Sequence, residues 1–128
     1  MKYQHILHID DDEDDLELFC IAVGKISDTV VCSSLSDAAL ALKKLAAREL
    51  EPHIIFLDLN MPVMNGQQFL VEIKKHPELK HIPIVILSTS SQDATIKLVK
   101  KLGAADFLSK PGNFNRMVEM LHPILQNH

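Results

Sequence analysis

Ile54-Ile55-Phe56-Leu57-Asp58-Leu59-Asn60-Met61-Pro62 is the stretch on which the fold turns: an uninterrupted apolar run leads straight into a carboxylate. Continuous rather than alternating hydrophobicity means burial on both faces. Interior strands of a parallel sheet read this way when helices cover each side. Ile84-Val85-Ile86-Leu87 has the same character and ends in Ser88-Thr89. Three further runs complete a set: Ile6-Leu7-His8-Ile9, which ends in Asp10-Asp11, Thr29-Val30-Val31-Cys32, and Ala104-Ala105-Asp106-Phe107-Leu108, just before Lys110-Pro111.

A longer stretch with helical spacing follows each run, over about 12–25, 37–49, 66–75, 92–102 and 114–126. Local punctuation supports these segments. Ser36-Asp37 offers a cap for the second, Asn65-Gly66 breaks the chain before the third, and Gly103 follows the fourth where a left-handed residue is favoured. Pro123 interrupts the last one, removing a hydrogen bond and predicting a kink. The pattern predicts a (βα)5 α/β fold, a doubly wound parallel sheet, in a single domain over residues 1–128. Right-handed crossovers put helices on both faces, and ligands of such sheets bind beyond the carboxyl ends of the strands.

Composition narrows the function. The chain has 128 residues, 47% of them hydrophobic, enough to build a core. Its formal charge is −4, from 13 basic and 17 acidic side chains. Six of the acids form the run Asp10-Asp11-Asp12-Glu13-Asp14-Asp15, and the remaining 11 leave the rest of the chain slightly basic. The acidity is local, and a strongly basic nucleic-acid binder is excluded. No apolar stretch approaches the roughly 20 residues of a membrane-spanning helix. Met1-Lys2-Tyr3-Gln4-His5 leads into a short apolar segment that ends at acids, unlike a signal peptide, so a cytoplasmic location is expected. Cys20 and Cys32 lack a C-x-x-C spacing and read as free core thiols. The seven histidines show no ligand spacing, and His8 reads as a hydrogen-bonded residue in a partly buried strand.

The strand ends carry the chemistry. Asp10, Asp11 and Asp58 would lie together, and close carboxylates stay ionised when a cation neutralises them; oxygen ligands suit Mg²⁺. Ser88 and Lys110 add a hydroxyl and an ammonium, which together with a metal can hold a phosphoryl group. A carboxylate among them can be the nucleophile. Asp12, Glu13, Asp14 and Asp15 read as a solvated helix start that meets the positive end of the macrodipole.

These residues resemble the receiver domain of two-component response regulators, especially the small stand-alone kind. The matching pieces are Ile9-Asp10-Asp11-Asp12, then Leu57-Asp58-Leu59-Asn60-Met61-Pro62 with Met64 and Gly66, then Ile82-Pro83 with Leu87-Ser88-Thr89, and finally Gly103 to Pro111. Their order and spacing together are specific. The resemblance implies a flavodoxin-like sheet with strand order 2-1-3-4-5 and Asp58 as phosphoacceptor. It implies Mg²⁺, with Mn²⁺ as a substitute, held by the carboxylates of Asp11 and Asp58 and the backbone carbonyl of Asn60, with Asp10 orienting a metal-bound water. Lys110 would pair with phosphoryl oxygens, Ser88 would donate its hydroxyl to one, and the Lys110-Pro111 peptide would be cis. Ser88 and Phe107 stand at the switch positions, and Asn60 and Ser90 at those that set the lifetime of the acyl phosphate.

The chain departs from the family pattern in places. Ser88 stands where threonine is commoner, Phe107 where tyrosine is, and Gly112 where many receivers place an aromatic residue. The implied partners are a sensor histidine kinase or a histidine phosphotransfer protein, and a downstream protein target. No nucleic acid or membrane is implied, and the state is a monomer or a phosphorylation-dependent dimer. The sequence stops directly after the fifth helical segment, so output by contact is expected rather than enzymatic activity. A haloacid dehalogenase-like phosphohydrolase is the alternative, but Asn60 stands where such enzymes carry their second aspartate, the general acid. A third reading is a receiver-like binding module that is never phosphorylated.

Overall fold

Alternate residues along each central strand enter different cores. The computed structural model describes residues 3–89 and 92–126. Its elements are β1 (His5–Ile9), α1 (Glu13–Ile26), β2 (Val31–Leu35), α2 (Ala38–Ala46), β3 (Ile54–Leu57), α3 (Gly66–Ile73), β4 (Ile84–Ser88), α4 (Asp93–Lys101), β5 (Asp106–Ser109) and α5 (Phe114–Gln126). All neighbouring strands pair in parallel, in the order β2-β1-β3-β4-β5. Leu7, Ile9, Ile55, Leu57, Ile84 and Ile86 pack with residues of α2, α3 and α4. Ile6, Phe56, Val85 and Leu87 pack on the other face with α1 and α5. Every residue of β3 and β4 is buried, as their unbroken apolar runs predict.

The differences lie where hydrophobicity is weaker. β2 occupies Val31–Leu35 rather than 29–32, taking in Ser33 and Ser34. It is an edge strand, half exposed along its length, so polar residues are tolerated in it and its pattern is faint. β5, the opposite edge, is likewise shifted toward its carboxyl end. α5 covers the expected span, with Pro123 inside it.

Capping follows the sequence closely. Asp37 accepts from the backbone N–H of Leu40 to start α2, and Asn65 with Gln68 forms a reciprocal capping box at α3. Gly103 closes α4 with a φ of +111°, a backbone that glycine adopts without strain. Cys20 and Cys32 are free thiols, as expected, but both are only half-buried, and they face each other between α1 and β2 rather than lying in the core. The hydrogen bond from Cys32 holds the Cys20 thiol down at about 6, and the same contact pushes Cys32 up. No helix among the described residues is long and apolar enough to cross a membrane.

Candidate functional site

Three hydrogen bonds extend the sheet ladder one residue past the strand ends, and each fixes a site residue. The Asp10 N–H donates to the Leu35 carbonyl at 3.1 Å, the Asp58 N–H to Ile9 at 3.0 Å, and the Lys110 N–H to Ser88 at 2.9 Å. The backbone positions of two acids and the lysine are therefore set by β2, β1 and β4. Close approach of α3 finishes the loop after Asp58. A Cβ on Gly66 would lie 2.6 Å from the Asp58 carbonyl oxygen and 2.8 Å from Leu59 Cα, so only glycine lets the helix start there.

The carboxylates converge as predicted. One oxygen from each of Asp10, Asp11 and Asp58 lies within 4.8 Å of the others, the single such group of potential metal ligands among the described residues. Asp10 and Asp58 are buried and Asp11 is exposed. Burial, and then the neighbouring Asp10 charge, pushes the Asp58 carboxyl up to about 6 against the pull of Lys110. Burial likewise raises Asp10, although one of its oxygens accepts from the Asp12 N–H at 3.0 Å and the other from Lys110 at 2.8 Å. Such a crowd of partly frustrated charge is what a hard divalent cation relieves, and its donor set fits one.

Lys110 supplies the local positive charge. Its ammonium donates to Asp10 at 2.8 Å and to Asp15 at 2.9 Å, and stands 3.7 Å from Asp58 Oδ1. Burial works to lower its pKa, but the hydrogen bonds to Asp10 and Asp15 outweigh that and raise it. It achieves this with a trans Lys110-Pro111 peptide, since every peptide bond among the described residues is trans. The expected cis bond is thus corrected: the ladder bond to Ser88 sets the backbone, and the long side chain does the reaching. Ser88 is fully buried at the end of β4, and Phe107, opposite Ile86 in the next strand, packs half-buried against the α2–α4 core. Asn60 is exposed in the loop after β3 and lines a cavity whose wall also includes Thr95. Ser90 lies outside the described residues.

Two further expectations are overturned. The run Asp12 to Asp15 is not four equivalent acids. Asp12 caps α1, accepting from Asp14 and Asp15 N–H groups, and Glu13 and Asp14 are exposed, but Asp15 turns inward to Lys110. Ninety-five positions separate Asp15 from Lys110, so no local pattern could reveal the pairing. His8 is fully buried rather than partly so, and neither ring nitrogen has a hydrogen-bond partner among the described residues. It stacks on Phe19 with ring centroids 4.0 Å apart, and Nε2 lies 3.8 Å from Asp10 Oδ2. Burial, then the Lys110 charge, pushes its imidazole down to about 3, so it is neutral near pH 7.

An open-edged parallel sheet with an acidic cleft, a hydroxyl and an ammonium at its carboxyl edge defines an α/β domain of the doubly wound class whose donor set suits a divalent cation. More narrowly, the chain belongs to the response regulator receiver domain family, whose model matches residues 6–122. Among curated relatives it is similar to the response regulator Rcp1 of Synechocystis sp., with 37% identity over 73 residues, 57% of this chain and 50% of that one. The aligned sequence thus takes in about half the length of Rcp1, and smaller shares of some longer relatives. Among solved structures, the phosphorylated cyanobacterial phytochrome response regulator RcpA superposes with a TM-score of 0.87 at 28% identity, covering 95% of this chain and 91% of that one. The Mn²⁺-bound form of Rcp1 gives 0.83 at 30% identity, covering 94% and 91%.

Proposed function

We propose that this domain is a phosphoacceptor of a two-component or phosphorelay system, with Asp58 receiving the phosphoryl group from a phosphohistidine on a partner protein. The observation that carries the reading is the position of Asp58: a buried carboxylate at the end of β3, grouped with Asp10 and Asp11, with the Lys110 ammonium 3.7 Å away. A buried carboxylate lacking a full ion pair is costly, and chemistry is the usual reason to keep one.

An Asp58 oxygen attacks phosphorus in line with the phosphorus–nitrogen bond. That bond breaks as the new phosphorus–oxygen bond forms, and the departing imidazole nitrogen keeps the electron pair. The product is an acyl phosphate. Asp10, Asp11, Asp58 and the Asn60 carbonyl are the groups that would hold Mg²⁺, or Mn²⁺ in its place, and the ion supplies positive charge to the transferring group. Lys110 offers an N–H to the phosphoryl oxygens, and Ser88 a hydroxyl. The burial of Ser88 and the half-buried Phe107 on the neighbouring strand support a switch: a shift of the hydroxyl toward the new charge would open space toward which the ring can move. Residues 1–128 form one cytoplasmic receiver domain in this proposal, signalling by contact with a protein target rather than by an enzymatic activity of its own. A sensor histidine kinase or a histidine phosphotransfer protein is the donor.

Incubation with acetyl phosphate and Mg²⁺ followed by intact-mass measurement tests this. One phosphoryl adduct is expected, and none on Asp58→Asn. An adduct that survives the substitution overturns the assignment.

A further inference from the structure

We infer that Asp15 is a positioning residue that anchors Lys110 for phosphoryl transfer; this rests on the reading of Asp58 as phosphoacceptor. Lys110 Nζ has three protons and three carboxylate neighbours. It spends two N–H donors on Asp10 at 2.8 Å and Asp15 at 2.9 Å, leaving the third toward Asp58, still outside hydrogen-bond distance at 3.7 Å. Two of those neighbours, Asp10 and Asp58, also belong to the metal-ligand group. Asp15 does not. A cation held by that group competes with Lys110 for Asp10 and Asp58, and Asp15 is then the partner left to keep the ammonium in place.

The anchor is well built for that role. Asp15 sits in the first turn of α1, whose start is fixed by Asp12, which accepts from the Asp14 and Asp15 N–H groups at 2.9 and 3.3 Å. The lysine side chain is only 14% exposed, and that of Asp15 34%, so the pair is shielded more than a surface ion pair. A flexible four-carbon stem held at its tip loses its freedom before the reaction rather than during it, which is the advantage of a preorganised group.

This role has a sign opposite to simple electrostatics. Deleting a negative charge near the site should by itself speed attack on an anionic donor, whereas loss of an anchor slows it. Asp14, one residue away and exposed, carries the same charge but does not touch Lys110, so Asp14→Asn controls for the field alone.

The experiment compares wild type, Asp15→Asn, Asp15→Glu and Asp14→Asn. The rate of acetyl phosphate labelling is measured at saturating Mg²⁺, and the slowly exchanging side-chain ammonium signal of Lys110 is followed by ¹⁵N NMR. Asp15→Asn should be labelled roughly tenfold more slowly, as for loss of other supporting partners, and should lose the ammonium signal. Asp15→Glu should recover part of both, and Asp14→Asn should be no slower than wild type. Labelling of Asp15→Asn at the wild-type rate or faster, or an unchanged ammonium signal, overturns the inference. A wild-type protein that takes no label overturns the phosphoacceptor reading instead, and the ammonium signal still decides whether Asp15 anchors Lys110.

Discussion

Asp58 Oδ1 stands 3.7 Å from Lys110 Nζ, within reach of its charge but beyond a hydrogen bond. The lysine is committed elsewhere, to Asp10 and Asp15, and Asp58 is left with burial and the Asp10 charge acting against its ionisation. A nucleophile that is undercompensated in the resting state has the most to gain from a cation and an incoming phosphoryl group.

That imbalance should be visible as stability. The Asp58 carboxyl is raised from 3.8 to about 6, so the folded protein holds its proton more tightly than the unfolded chain does. The resulting stabilisation is full below about pH 4 and is lost as pH rises through about 6. Without a divalent cation, Asp58→Asn should therefore be more stable than wild type at pH 7, by about 3 kcal/mol. The difference should shrink toward pH 4. Urea unfolding in EDTA across that range measures it, and added Mg²⁺ should raise the wild-type midpoint more than that of the variant.

Gly66 links the third helix to the nucleophile. Gly66→Ala would force a Cβ to within 2.6 Å of the Asp58 carbonyl and 2.8 Å of Leu59 Cα, and backbone on both sides cannot yield cheaply. The expected loss is about 2–3 kcal/mol or more, by the usual cost of overpacking. Because the Asp58 loop is what must shift, the Mg²⁺-dependent rise in melting temperature should shrink as well. Differential scanning calorimetry with and without Mg²⁺ reads both effects.

His8 is a buried imidazole with neither nitrogen satisfied among the described residues. Its ring is held neutral down to about pH 3, so the unfolded chain takes up a proton below about 6.5 that the folded one does not, and stability falls across that window. His8→Leu keeps the contact with Phe19 without the polar atoms. It should stabilise by about 1 kcal/mol at pH 7, and by more at pH 5. Chemical denaturation at the two pH values checks the sign.

Val63 points in a different direction, toward strain with no packing return. It is 98% exposed and has a φ of +66°, a left-handed conformation that disfavours β-branched side chains. Val63→Gly should raise stability by about 1 kcal/mol, with phosphoryl acceptance unchanged. A lower melting temperature would show that the side chain is making contacts that outweigh the strain.

Much of this site was legible from residue order. β3 and β4 announce themselves because burial on both faces demands unbroken apolar runs, and Asp58 and Ser88 stand out by ending them. The exposed edge strand β2 was displaced because Ser33 and Ser34 lie in a strand with little to bury. Asp15 and His8 differ from expectation for a related reason. A side chain's direction depends on residues far away in the chain, and nothing local distinguishes Asp15 from Asp14. Residue order places Lys110 at the site, but not the trans bond before Pro111, because backbone isomer is set by the packed surroundings rather than by the dipeptide.

The central claim is that one particular oxygen receives the phosphoryl group, and chemical trapping addresses it most directly. Borohydride reduces an aspartyl phosphate to homoserine, and tandem mass spectrometry of the digested protein then locates the changed residue. Homoserine at position 58, formed only after treatment with a phosphodonor and Mg²⁺, is the predicted result. Homoserine at Asp10, Asp11 or any other position, or none while a phosphoryl adduct persists, would contradict the account.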